Sequence, residues 1–79
     1  MVTVLREHGL RVMIFVDDHE PAHVHVFGDG HAKINLLGGN GNPELVWAAG
    51  MKRGEVRQAI RLVQANRDFL QTRWRDIHG

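Results

Sequence analysis

The 79 residues carry 10 Lys+Arg, 9 Asp+Glu and 6 His, a formal net charge of +1, with 43% hydrophobic residues and no cysteine. That composition describes one small globular domain over residues 1–79 and excludes intrinsic disorder, disulfide staples, cysteine-ligated zinc and a cysteine nucleophile. No apolar run approaches the roughly 18 residues of a membrane span, and residues 1–11 hold no signal-peptide core, so a soluble cytoplasmic protein with no membrane partner is expected.

Residues 2–6 are a short β-prone run, and residues 11–16 form a continuous apolar stretch that suits a central buried strand. Residues 17–21 are polar and end in Pro21, which marks a loop. His23–Phe27 and residues 32–37 then flank Gly28-Asp29-Gly30, a hairpin signature. A three-residue loop with Gly30 in the left-handed conformation pairs Phe27 with His31, Val26 with Ala32, His25 with Lys33, Val24 with Ile34 and His23 with Asn35. One face is then Val24, Val26, Ala32 and Ile34, and the other displays His23, His25, Lys33 and Asn35. A two-residue loop would mix the two sets, and a one-residue slip flips every side chain, so the first register is expected. Residues 38–43 read as a flexible, turn-rich loop, and residues 44–48 return as a last short strand.

Residues 52–77 read as one long amphipathic basic helix. Val56, Ile60, Val63, Arg67, Leu70, Trp74 and Ile77 follow alternating steps of four and three, and Arg53, Arg57 and Arg61 lie on the opposite side. The net charge is −3 over residues 1–51 and +4 over residues 52–79, so the helix is a candidate face for an anionic partner or simply a solvated one. A helix of about 25 residues is roughly 37 Å long, more than so small a sheet can cover. Its end, with Trp74 and Ile77, either overhangs to dock a partner or a second copy of the chain, or folds back on the same sheet. The fold class expected is α+β: a small, mostly antiparallel sheet of about four strands with one long C-terminal helix on one face.

The chemistry-bearing stretch is Asp17-Asp18-His19-Glu20-Pro21-Ala22-His23-Val24-His25. Strand alternation puts His23 and His25 on one face, and His19 in the preceding loop can approach them. Three readings are open. His19, His23 and His25 could ligate a divalent metal such as zinc, with Asp18, Glu20 or His31 as a fourth group, although the spacing matches no standard zinc signature and no cofactor is favoured. Alternatively, His23 and His25 act as acid and base on an RNA phosphodiester, with His19 or Lys33 on the phosphate and no metal needed. In the third reading the histidines are structural and Asp18 orients them. His8, His31 and His78 read as solvated. No phosphate-cradling loop and no Ser-His-Asp triad are present.

Residues 12–26, with His19, Pro21, His23 and His25, resemble the hallmark of domain-of-unknown-function family 4160, and residues 66–74, ending in Trp74, are similar to that family's closing helix. Ala22 stands where the family usually has a second proline. The resemblance implies a small bacterial α+β domain, often encoded beside a family 2442 partner in what looks like a toxin–antitoxin pair, with this chain as the toxin-like member. The resemblance identifies no reaction; joined to the histidine face, it leads to the expectation of an RNA-directed binder or weak, metal-independent ribonuclease. His23 and His25 would be acid and base, with His19 or Lys33 on the phosphate, and Arg53, Arg57 and Arg61 holding RNA or an acidic, antitoxin-like protein. The alternatives are a non-enzymatic interaction module docking through Trp74 and Ile77, and a histidine-ligated metal-binding protein.

Overall fold

A computed structural model describes residues 2–79. Five strands, β1 (Val2–Glu7), β2 (Leu10–Ile14), β3 (His23–Phe27), β4 (His31–Asn35) and β5 (Glu44–Ala49), form one antiparallel sheet in sequential order. Two helices follow, α1 (Arg53–Ala65) and α2 (Arg67–His78). The sheet thus has five strands rather than about four. β1 turns into β2 through His8 and Gly9, both at positive φ, as a two-residue hairpin whose twist matches its strands requires.

The β3–β4 register is the one the alternation demands, from His23 opposite Asn35 to Phe27 opposite His31. Gly30, however, is not left-handed; only Gly9, Gly41, Gly50 and Gly79 among the described glycines have positive φ. Its lack of a side chain serves close approach instead, because a Cβ there would collide with the Ala49 carbonyl and with Gly50. The hairpin tip is fastened from the other layer, where Glu55 in the first turn of α1 accepts the Asp29 N–H at 2.9 Å.

Val24, Val26, Ala32 and Ile34 are fully buried, together with Val12, Ile14 and Leu36 from the sheet. The helices cover this face with Ala59, Leu62, Val63, Leu70 and Trp74, while Ile60 and Ile77 pack at the margin. Val56, expected on the core stripe, is only half-buried and lies outside this cluster.

The expected single helix is broken at Asn66, whose φ of −119° and ψ of 20° leave the helical region. Its side-chain Nδ2 donates to the Leu62 carbonyl at 2.9 Å and its N–H to Val63 at 3.2 Å, which satisfies the end of α1. Arg67, the charged member of the apolar stripe, turns outward and donates to the Gly41 carbonyl at 2.8 Å. The break resolves the length mismatch between helix and sheet. α2 folds back, Trp74 is 4% exposed, and burying Leu70 and Trp74 contributes about 1.5–3 kcal/mol each. No helix among the described residues is long and apolar enough to cross a membrane.

Candidate metal centre

Strand alternation carries His23 and His25 to the face of β3 turned away from the helices, as expected, but that face does not display them. His23 is 4% and His25 is 7% exposed. The segment between β2 and β3 folds over both rings, and Phe15 stacks on His25 with centroids 4.2 Å apart and planes 14° from parallel. Within that segment the Asp18 N–H donates to the Phe15 carbonyl (3.1 Å) and the Phe15 N–H to Asp18 Oδ2 (3.3 Å). This local turn aims the carboxylate inward. Oδ2 lies 3.1 Å from His23 Nε2 and 3.6 Å from His25 Nε2.

The outer nitrogens of both rings are already engaged. His23 Nδ1 donates to the Pro21 carbonyl at 2.9 Å, since a carbonyl can only accept. A neutral His23 therefore presents a bare Nε2 lone pair to a carboxylate, an arrangement that calls for a proton or a cation between them. His25 Nδ1 is 2.9 Å from His31 Nε2. Burial pushes the His25 pKa down to about 4, helped by the neighbouring His23, His31 and Lys33 and opposed by Asp18. Burial lowers His31 as well. His25 is thus neutral at pH 7, and when its Nδ1–H donates to His31 its Nε2 is a free lone pair. That Nε2 is buried with no hydrogen-bond partner among the described residues.

Asp18, His23 and His25 offer one ligand atom each, all within 4.8 Å of one another. Tetrahedral bonds of zinc to nitrogen and oxygen place neighbouring ligand atoms roughly 3.3 Å apart, and the two contacts of Asp18 bracket that spacing. Second hydrogen bonds on the outer nitrogens of both histidines are the arrangement that orients imidazole ligands in metal sites. The donor set fits a divalent transition metal.

Other expected residues fall elsewhere. His19, expected as the third ligand, is exposed, and Asp18 takes its place because the turn onto Phe15 brings the carboxylate inward and leaves the next side chain outside. His19 instead lines a surface cavity of about 380 Å³ with Asp18, Glu20, Trp74, Arg75 and His78, which reaches the cluster from Asp18's side. Lys33 sits opposite His25 on the open sheet face. Arg53, Arg57 and Arg61 are exposed on α1, in the layer across the sheet, so the four cations expected to hold RNA form no common surface. Trp74 belongs to the chain's own core and Ile77 packs against it; neither overhangs.

Two histidines read as solvated are not. His31 bonds His25, and His78 places Nδ1 2.8 Å from the Trp74 carbonyl and Nε2 3.1 Å from the Phe15 carbonyl. A neutral ring donates to one of the two, and its Nε2–H tautomer fastens the end of α2 to the segment over the rings. The role of His31 is implicit in the hairpin register, which sets it on the same face as His25, two residues along β3 and opposite Phe27. Phe15 continues the alternation of β2 beyond Met13, which pairs with His25.

No curated protein and no solved structure matches the chain. A family model matches residues 9–75, and the chain belongs to that family, described as Domain of unknown function (DUF4160).

Proposed function

We propose that the chain is a metal-binding protein that holds one divalent transition-metal ion through an Asp18 carboxylate oxygen, His23 Nε2 and His25 Nε2. The observation that carries this reading is the buried, unpartnered Nε2 of His25, aimed at the carboxylate that also faces His23 Nε2. Zinc is the ion to test first, because two imidazoles and a carboxylate are borderline donors that suit it. Three protein ligands leave one position for a water, and a bound zinc lowers the pKa of such a water to about 7, the basis of hydrolytic chemistry. Direct acid–base work by His23 and His25 has less support, because Phe15 and Asp18 cover both rings. The same burial suits a ligated ion.

The test is calorimetric titration of chelator-stripped, tag-free protein with zinc at pH 7. One equivalent should bind, and Asp18→Asn and His25→Gln should each weaken binding about 100-fold or more, whereas His19→Ala should leave it within about twofold. Absence of stoichiometric binding at micromolar protein, or equal binding by all three variants, would overturn the assignment.

A further inference from the structure

The helices cover one face of the sheet, and most of the other is open. Two rows of cross-strand neighbours run over it. Arg6, Arg11, Phe27, His31 and Ala49 form the first, and Thr3, Met13, His25, Lys33 and Trp47 the second, in which Met13 and His25 are buried and Thr3, Lys33 and Trp47 reach the surface. The rings are contiguous: Phe27 and His31 stack at 4.0 Å and 20°, and His31 meets the edge of Trp47 at 4.7 Å and 76°. Trp47 is 41% exposed on the outermost strand. The Arg11 guanidinium lies 5.8 Å from the Phe27 ring centre, so charge and aromatic surface are interleaved.

The exposed part of the rows contains three cations and no carboxylate, in a half of the chain that is otherwise acidic; the carboxylates on this side, Asp18 beside His25 and Glu44 opposite Asn35, stand outside the rows. Segregation of this kind is not needed for folding. It complements a ligand that is flat, apolar on its faces and regularly anionic along its backbone. We propose that this face binds single-stranded nucleic acid, with bases stacking on Phe27, His31 and Trp47 and phosphates meeting Arg6, Arg11 and Lys33. A duplex keeps its base faces stacked inside and offers this surface only its backbone. The inference does not depend on the metal reading, although the two sites touch: His31 is both the middle ring of the platform and the group bonded to His25 Nδ1.

The probe is a fluorescein-labelled U12 RNA followed by anisotropy at 50 mM salt, with and without EDTA, beside unlabelled U12 followed by tryptophan emission. U12 should bind more tightly than its duplex with A12 and should quench the exposed Trp47. Trp47→Phe should keep the anisotropy change while abolishing the quenching, because only buried Trp74 remains. Trp47→Ala should weaken binding roughly 5- to 100-fold. Lys33→Gln should weaken it and flatten the slope of log K against log salt by about 0.7. The triple variant Arg53→Gln, Arg57→Gln, Arg61→Gln on α1 should bind within about twofold of the parent.

No anisotropy change at 100 μM protein would overturn the proposal, as would loss of binding in the α1 triple variant with Trp47→Ala unaffected. So would a concentration-dependent dimer by sedimentation that buries Trp47 and is not displaced by U12, which would assign β5 to a second copy of the chain. Loss of zinc binding with U12 binding intact would overturn the metal reading alone.

Discussion

His25 is held on every side: Phe15 stacks over it, His31 bonds its Nδ1, and Asp18 faces its Nε2. Burial is the largest influence on its protonation and holds the ring neutral, with a pKa near 4 against an ordinary 6.5. The consequence for stability has a definite sign. Between those two values the unfolded chain takes up a proton that the folded chain refuses, so acid favours unfolding. In metal-free protein the stability associated with this ring is complete above about pH 6.5, falls through the window and is lost below about pH 4. The loss amounts to about 3 kcal/mol for a shift of this size. His31, lowered by burial too, acts in the same direction. Urea unfolding of EDTA-treated protein at half-unit steps from pH 7.5 to 4 should show this loss, and His25→Gln should show a shallower one. Equal slopes in the two proteins would remove His25 as the source.

α2 is held to the sheet by Leu70 and Trp74, and the indole Nε1 of Trp74 is buried with no partner among the described residues. Trp74→Ala should therefore cost about 3–5 kcal/mol of unfolding free energy, enough to leave so small a domain marginal or unfolded. Trp74→Phe keeps most of the apolar ring and removes the unsatisfied donor, so its cost should be well under half of that. Chemical denaturation of the two variants distinguishes this core role from a docking role, which would leave stability unchanged in both. Such a role is one of two readings of a helix too long for its sheet, the other being that its end folds back, and the choice between them falls at Asn66. Heptad-like spacing of apolar residues continues across that position, so periodicity alone reads one helix. What ends α1 is a hydrogen bond from the Asn66 side chain to a backbone carbonyl, a local competition that spacing cannot register. Strand pairing is far more legible, since Val24, Val26, Ala32 and Ile34 share a face in one register and split in the next. The candidate site is half legible on the same grounds. Alternation joins His23 to His25, but the choice of Asp18 over His19 depends on a turn closed by the Phe15 N–H, which no periodicity announces.

At the scale of the whole molecule, one helical layer and one sheet of five strands must supply all the burial available to 79 residues. The open part of the other face carries His31, cations and exposed Trp47 instead of a second hydrophobic layer. A domain of this size has a small unfolding entropy, so each kcal/mol gained on binding moves the melting temperature by about 4–8 °C. Asp18 belongs to the segment between β2 and β3, while His23 and His25 belong to β3, so a bound ion would tie that segment to the sheet. Phe15 in the same segment is joined to α2 through His78, so the tie extends to the helical layer. Unfolding scatters the three ligands, and free zinc at 100 times its dissociation constant should add about 2.7 kcal/mol of stability. Melting of chelator-stripped protein should accordingly rise by roughly 10–20 °C with saturating zinc and return on adding EDTA. Asp18→Asn should abolish the rise even if its own melting temperature is lower. A rise of equal size in that variant would mean that zinc binds elsewhere, for instance through exposed His8 or His19, and that the three buried groups serve the fold alone.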